Sequence, residues 1–484
     1  MEFGLSLHEL VQISLSENIV IQREQLERGN PKLSLHSSCR VGDGIVQLSD
    51  DEREVSIQSF DEKNQDKELT FFIPASGSGS RMFGFLYEYL NSSSPSTETV
   101  KAIERLIQRI KDFAFYSKLP EDYQSHLESG EIDIKGLIEL ILTSKGFDYG
   151  SLPKGLIPFH SYEDDWKNPF QEHISQGVLI GSGQSKFHFT INKHFEERIK
   201  ESILQYESKE DVDCDVSFSE QDPETNAYAF GDNMTPIKDH DGVPITRPAG
   251  HGALLKNLDQ LDADLIFIRN IDNIQHLNKA THSIAYRKCL AGVLLDLQEK
   301  VFTILESIKA DSFDAGAVMK LNEEYDLKIP NEIAGDPETM FDFLNRPMRI
   351  CGMVKNEGQA GGGPFWVEEE DGSISRQIVE KAQISQKNGQ LDILIKSTHF
   401  NPVELVCGVR NYQGKKFNLA EFVNEDLYFI VNKTLEGKSI RYIEQPGLWN
   451  GGMANWLTLF YEIDANCFSP AKTVLDLLND LHRP

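Results

Sequence analysis

The stretch Leu69-Thr-Phe-Phe-Ile-Pro-Ala-Ser-Gly-Ser-Gly-Ser-Arg-Met82 decides how the rest of the chain is read. Leu69, Phe71, Phe72 and Ile73 make a short apolar run suited to a buried strand. Pro74, which has no N–H to offer a ladder, ends it. Five of the seven residues from Ala75 to Arg81 are Gly or Ser, so side chains scarcely screen the backbone. Met82, Phe83, Phe85 and Leu86 then resume an apolar run that can open a helix. A small-residue loop between a strand and a helix presents N–H groups to an anion, and Arg81 adds a forked cationic donor. The same composition serves an ordinary tight strand-to-helix turn, and the loop alone leaves both readings open. It is not a P-loop, because no Lys follows Gly79, and Met82 breaks the dinucleotide pattern Gly-x-Gly-x-x-Gly. The second Gly/Ser loop, Gly181 to Lys186, also lacks the P-loop spacing.

The 484 residues around this stretch suffice for a sizeable core and two or three domains. A hydrophobic share of 39% and a charged share of 26% are those of a soluble globular protein. The net charge of −28 repels nucleic acid and anionic membrane surfaces. A phosphate ligand therefore needs cations gathered locally. The six cysteines are scattered, without a Cys-x-x-Cys pair, as expected of reduced thiols in a cytoplasmic protein. The first 28 residues carry acids early and do not read as a secretory signal. No apolar run approaches the roughly 18 residues of a membrane span.

Away from the Gly/Ser loop the pattern alternates between strand and helix. Residues 1–30 read as helical and 31–68 as mixed and polar. Glu98 to Leu119 and Ile134 to Leu142 place apolar residues on one helical face. Leu152-Pro-Lys-Gly-Leu-Ile-Pro-Phe-His160 reads as an extended loop in which Lys154 can turn inward or stay solvated. Phe187 to Ile191 and Val212 to Phe218 read as strands, and Lys193 to Tyr206 as a helix between them. Arg247-Pro-Ala-Gly-His-Gly-Ala253 is another Gly-rich turn. Asp264-Leu-Ile-Phe-Ile-Arg-Asn-Ile-Asp-Asn273 is the apolar run expected of a central parallel strand, with Asp272 just past its carboxyl end, where open α/β sheets bind ligands. A helix cap or turn is the other reading of Asp272. His276 to Ala310 is mostly helical. Arg346 to Gly352, Asp392 to Ile395 and Leu457 to Ile463 read as strands, and 471–482 as a final helix. Ser397-Thr-His-Phe-Asn-Pro-Val-Glu404 is a dense polar cluster.

The order of these elements is more informative than any one of them. A Gly/Ser-Arg loop, a Pro-Lys loop, a Gly-His-Gly turn and a strand followed by Asp precede a polar second half. That order resembles the nucleotidyltransferases that make nucleotide sugars, especially the UDP-sugar pyrophosphorylases. It is similar, closer still, to a bacterial family filed as a domain of unknown function near that superfamily. The resemblance covers about residues 65–465. It implies an α/β fold with a Rossmann-like mixed, mostly parallel sheet flanked by helices, of the nucleotide-diphospho-sugar transferase (GT-A-like) kind. It further implies a nucleotide-binding core over 65–300 and a sugar-binding half with a closing segment over 301–484, both in one catalytic unit. Residues 1–64 are left as an N-terminal appendage.

Carried onto this sequence, the resemblance implies that Ser76, Gly77, Ser78 and Gly79 hold a triphosphate together with Arg81. Lys154 resembles the Pro-Lys element that contacts phosphate. Gly250, His251 and Gly252 resemble the turn that holds uracil. Asp272 resembles the aspartate that binds Mg²⁺. His399, Asn401 and Glu404 lie where relatives carry sugar contacts. One departure is plain: the usual Gly-Gly-x-Gly-Thr-Arg reads Ala-Ser-Gly-Ser-Gly-Ser-Arg here. The implied reaction joins an NTP, with UTP favoured, to a sugar 1-phosphate. Such a transfer relies on alignment and charge neutralisation, with Arg81 and Lys154 as the catalytic cations. Two alternatives stand beside it. One is a GT-A-like glycosyltransferase, although Ile271-Asp-Asn273 lacks the usual Asp-x-Asp. The other is a protein that binds a nucleotide sugar without chemistry.

Overall fold

The structure is a computed structural model describing residues 7–484 except 164, 183–184, 360, 370, 386–388 and 436–437. Leu69–Pro74 is buried at every position but its proline, and Leu265–Arg269 is buried throughout. Strands apolar on both faces belong in a parallel sheet covered on both sides. These two pair in parallel, with Leu69 opposite Leu265 and Phe72 opposite Ile268. Beyond Leu69–Pro74 lie Ser185–Thr190 and Asp215–Ser219, both parallel to it. Beyond Leu265–Arg269 lies Glu404–Gly408, which runs antiparallel. Met348–Lys355, antiparallel to Glu404–Gly408, restores the original direction. Leu457–Glu462 and Gly44–Val46 follow in parallel. Arg40–Val41 and His399–Phe400 complete a ten-stranded sheet among the described residues. The fold is the expected mixed, mostly parallel α/β sheet.

Alternation along the strands divides the core. Phe71, Phe267, Ile350 and Leu459 face the larger cluster, and Phe72, Ile266, Ile268, Cys351 and Phe460 face the smaller one on the other side. Phe71 stacks on Phe187 and Phe267, at centroid separations of 5.3 and 4.8 Å, and so welds three neighbouring strands. The long helix Thr281–Lys309 packs on Met348–Lys355, Glu404–Gly408 and the helix Asp50–Lys63. At Gly292 a Cβ would lie 1.8 Å from Ser56 O, so the two helices meet backbone to backbone. All six cysteines are free thiols. No described helix is long and apolar enough to cross a membrane.

Several elements differ from the sequence reading. Residues 31–64 are built into the architecture: Gly44–Val46 is a strand of the central sheet, and Leu35–Ser38 pairs with Gly363–Glu368. The expected helix over 98–119 stops at Gln108. Phe113 then turns extended, which stacks it on Phe115 in the core at 5.1 Å. Asp392 to Ile395, read as a strand, belongs to the helix Gln390–Ile395, with Ile395 exposed. The final helix is replaced by two 3₁₀ turns, Val474–Leu478 and Asp480–His482, separated by the extended Asn479.

Candidate functional site

Parallel neighbours release their following loops from the same sheet edge, so the Gly/Ser loop and Asn270 to Asn273 emerge side by side. Ile271 N–H donates to Pro74 O at 3.3 Å. Ser76, Gly77, Ser78 and Arg81 are exposed, whereas Gly79 is buried. Ser78 caps the 3₁₀ turn Gly79–Phe83, its Oγ accepting Ser80 N–H at 3.2 Å, and the helix Gly84–Asn91 follows. The Pro-Lys loop lies directly beneath. Gly79 N–H donates to Leu152 O at 2.9 Å, and Lys154 N–H donates to Gly77 O at 3.0 Å. A Cβ at position 79 would stand 2.6 Å from Ile157 Cδ1 and 2.9 Å from Leu152 O, so only glycine admits this approach.

Docked this way, Lys154 reaches across to the neighbouring strand's loop. Its Nζ donates to Asp272 Oδ2 at 2.9 Å and to Ala471 O at 3.0 Å. A second lysine, Lys472, donates to the same Oδ2 at 3.0 Å. The Lys154 and Asp272 side chains are only 12% and 10% exposed, while Lys472 is 64% exposed. Burial would raise the Asp272 carboxyl, but the two ammoniums outweigh it and hold the group below the usual carboxylate range. Lys472 is delivered by the segment after Cys467. Ser469 N–H donates to Asn273 Oδ1 at 2.9 Å, and Ala471 N–H donates to Asp272 O at 3.0 Å. The sequence reading missed Lys472, because a helix over 471–482 makes it one solvated lysine among others. Its signal was Pro470 two residues earlier, a local break like Pro153 before Lys154.

The other expected residues make their contacts elsewhere. Gly250, His251 and Gly252 pack against residues 444–449. Gly250 is left-handed at φ 72°, and a Cβ on Gly252 would fall 2.2 Å from Pro446 O. His251 Nδ1 accepts Leu448 N–H at 2.9 Å, and its ring stacks on Trp449 at 4.0 Å. Burial lowers this histidine to about 4, so it is a neutral acceptor. His399 Nε2 faces Glu462 Oε1 at 3.2 Å, and Asn401 Oδ1 accepts Val403 N–H at 3.0 Å. Glu462 forms part of the wall of a cleft of about 710 Å³ shared with Arg53, Tyr286, Lys355 and Asp464, and Lys154 does not line it. Glu404 is a correction. It is 3% exposed, with Arg269 Nε 3.1 Å and Arg287 Nε 3.8 Å away. The 3.1 Å approach is out of line for a hydrogen bond, and the group is an ion cluster inside the core rather than an open sugar contact.

Residues 7–483 match the family described as Domain of unknown function (DUF4301). The chain belongs to that family. No curated protein matches it by sequence. Among solved structures, this DUF4301 chain is similar to the uridine diphosphate N-acetylglucosamine pyrophosphorylase of Trypanosoma brucei, solved with an inhibitor. The TM-score is 0.50 at 13% identity, over 95% of this chain and 74% of that one. A UDP-glucose phosphorylase of the same organism aligns at TM-score 0.44 and 12% identity, over 96% of this chain and 74% of that one. The fold of the DUF4301 chain is thus similar to that of the uridine diphosphate N-acetylglucosamine pyrophosphorylase.

Two cations, Lys154 and Lys472, meet one carboxylate at this edge of the DUF4301 sheet, next to an exposed Gly/Ser loop that ends in the exposed Arg81. That arrangement can take several phosphate charges at once. Among the described residues no group of three His, Cys, Asp or Glu side chains is placed to hold a metal ion. Mg²⁺ commonly makes do with one or two carboxylates and takes its other oxygens from substrate phosphates and water. Asp272 fits an ion brought in with a triphosphate, and does not fit one held by the protein alone.

Proposed function

We propose that this DUF4301 protein is a nucleotidyltransferase that joins a sugar 1-phosphate to an NTP and releases pyrophosphate. One observation carries the reading: Lys154 and Lys472, from segments 318 positions apart (472 − 154), converge on Asp272 beside the exposed loop of Arg81. The N–H groups of Ser76, Gly77 and Ser78 and the Arg81 guanidinium take the β- and γ-phosphates. A sugar-phosphate oxygen attacks the α-phosphorus in line, and the bond from that phosphorus to the bridging oxygen of pyrophosphate breaks. Lys154 and Lys472 exchange part of their hold on Asp272 for the phosphoryl oxygens as charge builds. Mg²⁺ carried on the NTP would be held by Asp272 and would supply further charge neutralisation. Uracil is the favoured base, met by the backbone of the Gly250–Gly252 turn, since the His251 ring is already engaged. His399 and Asn401 are the proposed sugar contacts that remain.

The test is pyrophosphate release from a panel of NTPs and sugar 1-phosphates with Mg²⁺, wild type beside Asp272→Ala. Release with one NTP, lost in the variant, is expected. Release of a nucleoside diphosphate from a nucleotide sugar and an acceptor, with no pyrophosphate, would establish glycosyl transfer instead. Tight binding of a nucleotide sugar with no turnover would leave a binding protein.

A further inference from the structure

Behind the proposed phosphate site, the buried Glu172, His160 and His482 and the half-buried Tyr162 form one hydrogen-bonded chain that the reaction above does not use. Tyr162 O–H donates to Glu172 Oε1 at 2.6 Å while its oxygen accepts Leu277 N–H at 3.3 Å. His160 Nδ1 stands 2.7 Å from the same Oε1, and His160 Nε2 stands 2.9 Å from His482 Nδ1. Glu172 and His160 are fully buried and His482 is 2% exposed. The direction of every bond follows. With the carboxyl's own proton, when present, on the unpartnered Oε2, Oε1 accepts from both Tyr162 and His160. His160 therefore has its hydrogen on Nδ1. Burial keeps both imidazoles neutral, so His160 Nε2 is an acceptor and His482 Nδ1 must be the donor.

The two ends of this chain belong to the two lysine-bearing segments. His160 follows Lys154 by six residues and His482 follows Lys472 by ten. Between Ser469 and Arg483 the second segment is held by few directed bonds. At one end Ser469, Ala471 and Lys472 bond to Asn273, Asp272 and Lys154, and at the other Leu481 O accepts His276 N–H at 2.9 Å and Arg483 reaches Asp112 at 2.9 Å. Val474, Leu477 and Leu478 are buried between them. Apolar contacts of that kind hold the segment down without setting its register. We propose that Glu172, His160 and His482 form a latch that fixes the 469–483 segment and so sets Lys472 on Asp272. They are positioning residues, and their bearing on turnover rests on the reading of Lys472 given above.

Trypsin reads the latch directly, because an undocked segment exposes the bond after Lys472. His482→Phe keeps a ring and removes the donor, and His482→Asn restores an N–H close to the position of Nδ1. The Phe variant should be cut after Lys472 about tenfold faster than wild type, and the Asn variant about as slowly as wild type. The kcat for pyrophosphate release should fall and recover in the same order, with KM for the NTP little changed. A folded Phe variant cut no faster than wild type, or an Asn variant cut as fast as Phe, overturns the latch. Amide exchange in the unmodified protein is a second measure. Ala471 and His276, which bond across to the segment at its two ends, should exchange at one shared rate, and separate rates overturn the proposal. A wild type that releases no pyrophosphate overturns the catalytic reading of Lys472, while cleavage and exchange still decide the latch.

Discussion

Lys154 Nζ lies 2.9 Å from Asp272 Oδ2, across 118 residues of sequence. Lys154 comes from the loop bridged beneath the Gly/Ser turn, so the contact joins that turn to the acidic end of the next strand. Lys154→Ala should cost on the order of 2–4 kcal/mol of transition-state stabilisation in pyrophosphate-releasing turnover. Steady-state rates on purified variants test this, and unchanged turnover would remove Lys154 from the mechanism.

Asp272 should also be visible in acid. Its folded-state proton affinity lies below the unfolded value of 3.8, because the two ammoniums outweigh burial. The stabilisation is therefore full above that value and is lost as pH falls through the lower folded one. Denaturant titrations between about pH 2 and 5 should show a shallower acid decline in Asp272→Asn than in wild type.

Glu172 should act with the opposite sign. Burial pushes its carboxyl from 4.5 up to about 7, against the hydrogen bond from Tyr162. A raised folded value means that its contribution is complete below 4.5 and is lost as pH rises through about 7. The difference in stability between Glu172→Gln and wild type should shift in favour of Gln across that window, by roughly a few kcal/mol, and then level off. His160 and His482 titrate the other way, since burial lowers both, so the difference between the two proteins is the quantity to follow. A difference flat from pH 4 to 8 would contradict the raised carboxyl.

Glu404→Ala tests the correction made to the sugar site. It leaves the Arg269 and Arg287 guanidiniums facing each other in the core, a change worth about 3–5 kcal/mol. Thermal and denaturant unfolding should register the loss. A variant as stable as wild type but with a raised KM for the sugar phosphate would return Glu404 to the sugar site.

The fold was legible wherever one local property sufficed. Leu69 to Ile73 and Leu265 to Ile268 are apolar on both faces, which only covered parallel strands require. Asp272 could be placed at the carboxyl edge of the sheet from its position after such a strand. What pairs with what had no local signal. Glu404 sits in a polar stretch, and nothing in that stretch tells of two arginines more than a hundred positions earlier. The spacing of Val474, Leu477, Leu478 and Leu481 satisfies a helix, yet the structure divides it between two tight turns, and Lys472 escaped notice for that reason. The Gly250–Gly252 turn was visible, but its partner loop at 444–449, which occupies the histidine, was not.

Gly44–Val46 has its place in the sheet only beside Leu457–Glu462, with Ile45 opposite Phe460. Synthesis runs from one to the other, so some four hundred residues must leave the ribosome before the early strand meets its neighbour (462 − 44 = 418). Until then Met348–Lys355 is paired with Glu404–Gly408 on one side and carries an open row of N–H and C=O groups on the other. Such an edge is a template for any passing strand. Leu457–Glu462 is the strand that closes this edge, and Lys472 follows it in the chain.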